Sequence, residues 1–465
     1  MNNCTLIIFG ATGDLTKRKI IPALYRLVAE KKLSDIAIIG AAFSKSSPAQ
    51  IMEEARPFIE HSFDQTVWNF ILARFEYQLI DFNNPSDFNI LQERLLVVEK
   101  KHNLSGNRLF YCATAARFFI SITQSIGSLG LAVKKDKKDP LWHRIVYEKP
   151  FGHDLFSAHD INTCIMRWFN EHQVYRIDHY LTKEVVSNIA LIRFTNCFFE
   201  PLWNNRYIDQ VHINLSEDFG VENRGAYYDV YGALADVVQN HMLQLLALVG
   251  MEPPQLLSGD FVREQRARVL QDVEVVDGLL GQYEGYKDDH NVVKDSLTET
   301  FAYLFLRVNN PRWSGVPFFL KTGKCLDKRK IVIHIKFKQV DCLFTKKCPS
   351  ESNWLTIQVY PDATFYVTLN AKKPGYSTEL TPVAMEFCHS CVFGQHIPSA
   401  YEILFEDVLR GEQESVVRFD ELESAWNIIG MIKEKKFPLY LYKKGSEGPD
   451  ELQLFMNKHG VKKRP

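Results

Sequence analysis

Residues 4–9 read Cys-Thr-Leu-Ile-Ile-Phe, and residues 10–15 continue as Gly-Ala-Thr-Gly-Asp-Leu. The first six residues form a short apolar run bounded by glycine, which is typical of a buried parallel strand. Apolar residues at helical spacing follow through Ile20, Leu24 and Leu27, and a second apolar run over residues 36–39 ends at Gly40. Strand, glycine turn, helix and strand in this order predict a βαβ unit.

The two glycines of the turn, Gly10 and Gly13, let the backbone approach a pyrophosphate, and the start of the helix faces the same group. A GxxGDL pattern alone is weak evidence because many turns contain two glycines, but its position between a strand and a helix strengthens it. The sequence therefore predicts dinucleotide binding at the following residues: Gly10, Thr12, Gly13, Asp14 and Leu15.

The pattern of apolar and polar residues changes near residue 180. Further strands are predicted over 77–81, 107–113 and 144–147, whereas later segments alternate between apolar and polar residues, which indicates an antiparallel sheet with one face covered. These later segments are 208–215, 301–306, 331–338, 355–360 and 364–369, and a long helix is predicted over 227–249. We expect an α/β dinucleotide-binding domain over residues 1–178 and a larger α+β domain, with a mainly antiparallel sheet, over residues 179–465.

Composition excludes several classes of protein. The 465 residues are 46% apolar and 24% charged, which is ordinary for a soluble globular protein, and the net charge of −1 gives no sign of nucleic-acid or membrane binding. No apolar run approaches the roughly 20 residues of a membrane span. The first residues carry no basic region or cleavage site, so we expect a cytoplasmic protein.

Nine cysteines at irregular spacing argue against a disulfide framework. The pair Cys388 and Cys391 forms a CxxC pattern, which can hold zinc or act in redox chemistry. A structural zinc site would need a second pair, and Cys342 with Cys348 is spaced too widely for one. We therefore expect reduced thiols near a strand, and no metal.

The stretch over residues 175–184, Tyr-Arg-Ile-Asp-His-Tyr-Leu-Thr-Lys-Glu, combines an acid, an imidazole, a phenol and a lysine. If a helix starts near Asp178, then His179 and Lys183, four residues apart, project from one face. Two cations on one patch suit a phosphate dianion because charge-assisted hydrogen bonds are strong. A solvated turn before an amphipathic helix is the alternative.

This stretch resembles the RIDHYLGKE signature of the glucose-6-phosphate dehydrogenase family, with Thr182 where the family usually has glycine. The resemblance implies that His179, Tyr180 and Lys183 bind the sugar phosphate and that Asp178 orients a catalytic histidine. The glycine turn also matches the family pattern GxxGDLxxxK with a following proline, which implies an NADP-binding Rossmann fold. The matching residues of that pattern are Gly10, Gly13, Asp14, Leu15, Lys19 and Pro22.

Three further segments match motifs of the family. Residues 148–152, Glu-Lys-Pro-Phe-Gly, imply that Lys149 contacts the substrate near the nicotinamide and that the peptide before Pro150 is cis. Residues 234–244 resemble RDVMQNHLLQ, which implies His241 as the general base and Asp236, with Glu217, as acceptors for sugar hydroxyls. Residues 321–329 resemble RTGKxLxxR and add two cations. These cations are Lys324 and Arg329.

The resemblance implies an oxidoreductase that transfers hydride from C1 of glucose 6-phosphate to NADP. The products are 6-phosphoglucono-lactone and NADPH, in the first oxidative step of the pentose phosphate pathway. Histidine suits the base because its pKa lies near working pH. Members of the family commonly form dimers or tetramers through the larger sheet, so we expect a homodimer or homotetramer.

One departure from the family bears on the cofactor. Where the family has an arginine that grips the 2′-phosphate of NADP, this chain has Phe43. Losing such a contact weakens binding by roughly 1.5–3 kcal/mol. No acid between Ala41 and Ser47 could hold the ribose of NAD, and Ser44 and Lys45 could take the phosphate instead. We favour NADP, with NAD possible. The alternative for the serine run is a plain loop before a helix capped near Ser47.

A second departure lies at Tyr360, where the family has a glutamine that contacts the sugar. Gln358, two residues away on the same strand face, could make that contact instead. Two alternatives to the main interpretation remain. The chain could be an NAD-preferring or broader hexose-phosphate dehydrogenase. It could also be a catalytically degenerate homologue that binds sugar phosphate or nucleotide.

Overall fold

A computed structural model describes residues 3–59, 63–340, 351–375, 380–388, 391–392, 394 and 398–463 of the chain. By their contacts, the residues group into two compact units. The first consists of Met1–Thr182, Ser258–Arg263 and Pro398–Phe419, and the second of Lys183–Leu257, Glu264–Ile397 and Asp420–Pro465. The domain boundary expected at residue 178 stays a prediction.

The first unit contains a seven-stranded sheet. Its strands are β1 (Cys4–Phe9), β2 (Ile36–Ala42), β3 (Phe75–Leu79), β4 (Arg108–Cys112), β5 (His143–Tyr147), β6 (Val174–Ile177) and β15 (Val416–Val417), in the order β15-β6-β5-β4-β1-β2-β3. All neighbours are parallel except β15 and β6. Every residue of β1 and β2 is buried, as expected for strands covered on both faces. The predicted α/β class is confirmed, although β3 begins two residues before the predicted strand.

The second unit contains a nine-stranded sheet. Its strands are β7 (Ile208–Ser216), β8 (Val273–Tyr283), β9 (Phe301–Val308), β10 (Pro317–Gly323), β11 (Lys330–Phe337), β12 (Trp354–Tyr360), β13 (Thr364–Lys372), β14 (Leu380–Cys388) and β16 (Leu439–Tyr442), in the order β14-β13-β12-β11-β7-β10-β9-β8-β16. Only the pairs β7 with β10 and β8 with β16 are parallel among these described strands. The predicted mainly antiparallel sheet is confirmed.

Helices connect the strands of both units. The α-helices are α1 (Ile21–Ala29), α2 (Pro48–Ala55), α3 (Gln65–Leu72), α4 (Pro85–Lys101), α5 (Phe119–Ser128), α6 (Leu155–Trp168), α7 (Glu184–Thr195), α8 (Gly225–Ala233), α9 (Leu243–Gly250), α10 (Gly259–Gln271), α11 (Ala400–Arg410), α12 (Phe419–Glu434) and α13 (Glu451–Lys458). The π-helical segments are Thr16–Ile20 and Leu234–Met242, and the short 3-10 segments are Arg56–Phe58, Ala116–Phe118, Glu171–Gln173, Glu200–Leu202, Glu222–Arg224 and Tyr286–Asp288.

The prediction of a single helix over residues 227–249 is wrong in one respect, because the helical path breaks at Gly232. This residue has φ 62° and ψ −177°, and the chain then continues as the π-helix Leu234–Met242 before α9. The side chain of Glu299 occupies the space beside the break: a Cβ on Gly232 would lie 2.3 Å from its Oε1. The same oxygen accepts a 3.0 Å hydrogen bond from the Leu234 N–H, so it caps the start of the π-helix.

The expectation of reduced thiols at the CxxC pair is wrong. Cys388, the last residue of β14, forms a disulfide with Cys391. Cys342 and Cys348 lie outside the described residues. No helix in the described part of the chain combines the length and apolar character that crossing a bilayer requires.

Candidate active site

The glycine turn after β1 has the close backbone packing that a dinucleotide site needs. Gly10 has φ +90°, and a Cβ at this position would lie 2.3 Å from the carbonyl oxygen of Ala113. The Thr16 hydroxyl donates a 3.1 Å hydrogen bond to the Gly10 carbonyl, and the Gly13 N–H donates to the same oxygen at 2.9 Å. A left-handed residue packed this closely must be glycine. The turn therefore fits a pyrophosphate beside it.

Residues 43–47 follow β2 at the carboxyl edge of the parallel sheet. Phe43, Ser44 and Lys45 are exposed there. The Tyr77 hydroxyl donates to the Ser44 carbonyl, which fixes the backbone of this turn. Ser47 is the N-cap of α2, since its Oγ accepts a 3.2 Å hydrogen bond from the Gln50 N–H. The helix cap near Ser47, which the alternative interpretation of the serine run contains, is thus present, and the Ser47 hydroxyl already has a partner.

Lys149 directly follows β5, at the same edge of the sheet, and its peptide bond to Pro150 is cis, as the family resemblance implies. The preceding Glu148 is buried and accepts hydrogen bonds from the hydroxyls of Tyr111 at 2.7 Å and Tyr401 at 3.2 Å. Burial raises the pKa of Glu148, and these two hydrogen bonds oppose the increase. The two tyrosines therefore anchor the residue that precedes Lys149.

The segment after β6 is a compact turn that is not helical. Asp178 is buried, and its Oδ1 accepts a 2.9 Å hydrogen bond from the Tyr180 N–H. The hydroxyl of Thr182 donates to the His179 carbonyl at 3.1 Å. The helix begins only at Glu184. The prediction that His179 and Lys183 project from one helix face required a helix near Asp178 and therefore does not apply. Thr182 has no positive φ, which explains why this position accepts a residue other than glycine.

In the second unit, strand register brings Glu217 and Lys324 together. Glu217 follows β7 and Lys324 follows β10, and these parallel neighbours pair Ser216 with Gly323 at their ends. Because parallel strands end at the same edge, the two side chains meet there: the Lys324 Nζ lies 2.7 Å from the Glu217 Oε2. The Glu217 N–H also donates to the Gly323 carbonyl at 2.9 Å.

Arg329 and Tyr360 lie at this same edge. Arg329 precedes β11, whose first residue, Lys330, pairs with Ser216, and Tyr360 ends β12. The guanidinium of Arg329 lies 4.5 Å from the centroid of the Tyr360 ring, which is a cation–π distance. Gln358 donates a 3.3 Å hydrogen bond to the Asp362 carbonyl. Tyr360 therefore supports Arg329, a contact that the sequence did not predict.

Aromatic rings form the surroundings of Lys324, and sequence reasoning missed them. Its Nζ lies 5.0 Å from the ring of Phe219 and 4.9 Å from the ring of Tyr228. Burial raises the pKa of Tyr228 well above its usual range, and the negative charges of Asp236 and Glu217 add to this effect. Both carboxylates thus lie near this phenol. The run of tyrosines at the start of α8 was a signal that could have suggested it.

Asp236 and His241 belong to one π-helix. This helix closes hydrogen bonds between residues five apart, so positions 236 and 241 lie one turn apart on one face. Both are buried, His241 with 3% exposure, and Asp236 accepts a 3.1 Å hydrogen bond from the Tyr227 hydroxyl. In an α-helix, residues three or four apart face together and residues five apart do not. The π-helix therefore aligns the two groups.

The structure thus gathers Glu217, Asp236, Lys324 and Arg329 at one end of the second unit's sheet, where they combine two carboxylates with two cations. Such a set can accept hydrogen bonds from hydroxyl groups and donate them to an anion. Among the residues that the structure describes, no three His, Cys, Asp or Glu side chains form a group suited to a metal ion.

Comparison with known proteins gives matches over nearly the whole chain. A family model described as glucose-6-phosphate dehydrogenase, NAD binding domain, matches residues 7–188, and one described as glucose-6-phosphate dehydrogenase, C-terminal domain, matches residues 190–464. A glucose-6-phosphate 1-dehydrogenase of Chlamydia pneumoniae is 38% identical, with 99% of this chain and 96% of that protein covered. The enzyme of the same name from Bacillus subtilis is 36% identical, with 98% and 97% covered.

Solved structures agree with these matches. A glucose-6-phosphate dehydrogenase in complex with its substrate glucose 6-phosphate superposes with a TM-score of 0.90 at 33% identity, covering 100% of this chain and 99% of that one. A glucose-6-phosphate 1-dehydrogenase from Mycobacterium avium gives a TM-score of 0.86 at 31% identity, with 100% and 99% covered. The family resemblance of the sequence is confirmed.

Proposed function

Because the chain belongs to the glucose-6-phosphate dehydrogenase family, we propose that it oxidises glucose 6-phosphate at C1 to 6-phosphoglucono-lactone. This would be the first oxidative step of the pentose phosphate pathway. The observation that carries the proposal is the pairing of Asp236 and His241 on one face of a buried π-helix. That arrangement supplies a hydroxyl acceptor and a base at a fixed separation.

The substrate contacts follow from charge and hydrogen-bonding capacity. His179, Tyr180 and Lys183 bind the 6-phosphate, since an imidazole, a phenol and an ammonium group each donate hydrogen bonds to phosphate oxygens. The remaining contacts hold the hydroxyl groups of the sugar ring and the charged phosphate that adjoins it. They come from Lys149, Glu217, Asp236, Lys324 and Arg329. Lys324 is restrained by Glu217 and two rings, so little conformational entropy is lost when it binds.

His241 is the general base that removes the proton from the C1 hydroxyl, and Asp178 is the carboxylate that orients it. A carboxylate partner stabilises the imidazolium that forms when the proton is taken. The nicotinamide, when bound, supplies the hydride acceptor. Lys149, at the carboxyl end of β5, orients the substrate beside it, consistent with the place where α/β folds bind their ligands.

Members of this family bind a nicotinamide dinucleotide, and we propose NADP as the preferred one. Gly10, Thr12, Gly13, Asp14 and Leu15 hold the pyrophosphate region, while Ser44 and Lys45 contact the 2′-phosphate. Lys45 is the only cation between Ala41 and Ser47. Phe43 favours the alternative that NAD is also accepted, since a phenyl ring donates no hydrogen bond to a phosphate.

The proposal includes an assembly and a compartment. We expect a homodimer or homotetramer formed through the larger sheet. We also expect the protein to be located in the cytoplasm, the compartment that the names of two plant relatives give for those proteins. Sedimentation of the purified protein would give the assembly state. A monomer at micromolar concentration would contradict this part of the proposal.

The test is steady-state reduction of NADP and of NAD with glucose 6-phosphate, in wild type and in His241→Asn. Turnover that favours NADP and collapses in the variant supports the proposal. Comparable or better turnover with NAD would reverse the cofactor preference. No turnover with either cofactor, from protein with a cooperative thermal transition, would leave the sugar-phosphate-binding homologue as the better interpretation.

A further inference from the structure

Three phenylalanines cluster at the carboxyl edge of the parallel sheet. Phe43 follows β2, Phe82 follows β3, and Phe118 lies in the 3-10 turn after β4. The ring centroid of Phe43 lies 4.6 Å from that of Phe82 and 5.2 Å from that of Phe118, and Phe82 lies 5.6 Å from Phe118. The first two pairs are tilted and the third is edge-to-face, and these distances and geometries are those of packed aromatic pairs. The side chain of Phe43 is therefore held by two other rings.

The two ring contacts leave about half of the Phe43 side chain exposed. Phe82 is 1% exposed, whereas Phe43 is 47% exposed despite its two ring contacts. This half-exposed ring, at the end of a parallel strand, lies at the edge where α/β folds bind their ligands. Exposing it to water is unfavourable, so covering it with another flat apolar surface is favourable.

The residues around Phe43 restrict what it can recognise. In dinucleotide-binding folds, the end of the second strand meets the adenosine ribose through an acidic residue, or its 2′-phosphate through an arginine. Residues 41–47 contain neither an acid nor an arginine. A phenyl ring cannot serve either purpose by hydrogen bonding, but its face can stack on a purine.

We propose that Phe43 is the adenine-stacking residue of the cofactor site and that, as a result, the site discriminates only weakly between NADP and NAD. The inference rests on the proposed function only in taking a dinucleotide as the cofactor. Stacking on adenine is common to both cofactors, so the binding energy that it supplies is independent of the 2′-phosphate. Discrimination is then left to cations that approach the ribose from this edge.

Two exposed cations are available for that purpose. Lys45 follows Phe43 by two residues, and the guanidinium of Arg117 lies 4.8 Å from the Phe118 ring. In the part of the chain that the structure describes, neither side chain forms a hydrogen bond or an ion pair with a carboxylate, and both are long and exposed. Ordering such a side chain on a phosphate opposes binding, which limits the gain from the 2′-phosphate.

The test measures nucleotide binding directly, by titration calorimetry of the full chain with adenosine 5′-monophosphate and adenosine 2′,5′-bisphosphate. We expect the wild-type affinities to differ by about tenfold or less, as one flexible charge-assisted contact allows. Phe43→Ala should weaken both nucleotides by about tenfold or more, with their ratio unchanged. Phe43→Arg should increase the preference for the bisphosphate.

Two further variants separate stacking from packing. Phe43→Leu keeps apolar cover over Phe82 and Phe118 but removes the flat face, so it should lose affinity as Phe43→Ala does. Phe63→Ala is the matched control, since Phe63 is 37% exposed and also packs on two rings, those of Tyr25 and Trp68, but lies outside the end of β2. It should leave both affinities unchanged.

Unaltered binding of the monophosphate to Phe43→Leu would overturn the stacking assignment. A wild-type preference for the bisphosphate of a hundredfold or more would overturn the weak discrimination. Both outcomes are independent of turnover with glucose 6-phosphate. A failure of this inference therefore differs from a failure of the proposed function, which would show as tight nucleotide binding without oxidation of the sugar.

Discussion

The ammonium group of Lys324 lies 2.7 Å from the carboxylate of Glu217, and each residue directly follows one of two parallel strands. The side chain of Lys324 is only 8% exposed and lies between the rings of Phe219 and Tyr228. Backbone hydrogen bonds fix both residues. The Lys324 N–H donates to the Thr300 carbonyl at 3.0 Å, and the Glu217 N–H donates to the Gly323 carbonyl at 2.9 Å. The charge pair is thus positioned before any ligand binds.

Lys324→Gln should therefore weaken substrate binding more than it weakens the fold. Losing one charge-assisted contact to a phosphate or hydroxyl raises KM for glucose 6-phosphate by roughly ten- to a hundredfold. The matched control is Lys328→Gln, a lysine four residues on whose side chain is 70% exposed. Initial-rate kinetics on both variants check this, and an unchanged KM in Lys324→Gln would contradict a substrate contact.

The placement of His241 on the π-helix leads to a different kinetic signature. His241→Asn should reduce kcat by roughly 10²- to 10⁴-fold, the usual contribution of a general base, with KM changed only a few-fold. The control is His153→Asn, whose imidazole is 62% exposed. Should the His241 variant keep wild-type kcat, another group must remove the proton.

The sequence predicts the first unit well because its signals are local. The apolar run Cys4–Phe9, the glycine turn and the following helix depend on neighbouring residues, and the structure has each of them. The strand alternation of the second unit is equally local. Motif matches placed Glu217 and Lys324 in one site, but only the register of β7 and β10 gives their contact.

The features that the sequence did not reveal depend either on a residue distant along the chain or on a local hydrogen bond that competes with the helix. Glu299 fills the space beside Gly232 and caps the π-helix, so the break in the helix depends on a residue more than sixty positions away. The apolar spacing over 227–249 suits a continuous α-helix and contains no proline to signal the break. Asp178 similarly binds the N–H of Tyr180, which holds a turn where a helix could have begun.

Gly10→Ala should damage the cofactor site through a direct clash. The new Cβ would lie 2.3 Å from the Ala113 carbonyl oxygen, and φ at this position is +90°. Gly130→Ala is the control for backbone strain alone, since φ there is +67° and nothing lies within 4 Å of the added atom. Strain alone lowers the free energy of unfolding by about 1–2 kcal/mol.

We expect Gly10→Ala to lower the melting temperature more than Gly130→Ala does and to weaken binding of adenosine 5′-monophosphate. Thermal unfolding and calorimetry on the same samples give both quantities. Equal melting temperatures and equal nucleotide affinities in the two variants would show that the close approach at Gly10 is not needed.

Acid should destabilise the protein through a buried histidine remote from the proposed chemistry. His212 lies between Phe319, at 5.2 Å, and Trp354, at 6.0 Å, and burial lowers its pKa to about 4, with the charge of Lys336 adding to the shift. The unfolded chain, with a histidine pKa of about 6.5, then binds the proton more tightly. The contribution of His212 to the free energy of unfolding is fully present above about pH 6.5. It falls as the pH approaches 4, by at most about 3 kcal/mol.

Replacing the titrating ring tests this linkage. His212→Phe should show a smaller fall in melting temperature between about pH 7 and pH 5 than wild type, because the variant has no proton to bind at this position. His153→Phe, at an exposed site, should keep the wild-type pH dependence. The absolute stability of His212→Phe is a separate matter, because the imidazole Nε2 lies 3.2 Å from the Gln210 Oε1 and the variant loses that contact. The pH slope is therefore the quantity to compare, and a wild-type slope in His212→Phe would mean that other groups account for acid sensitivity.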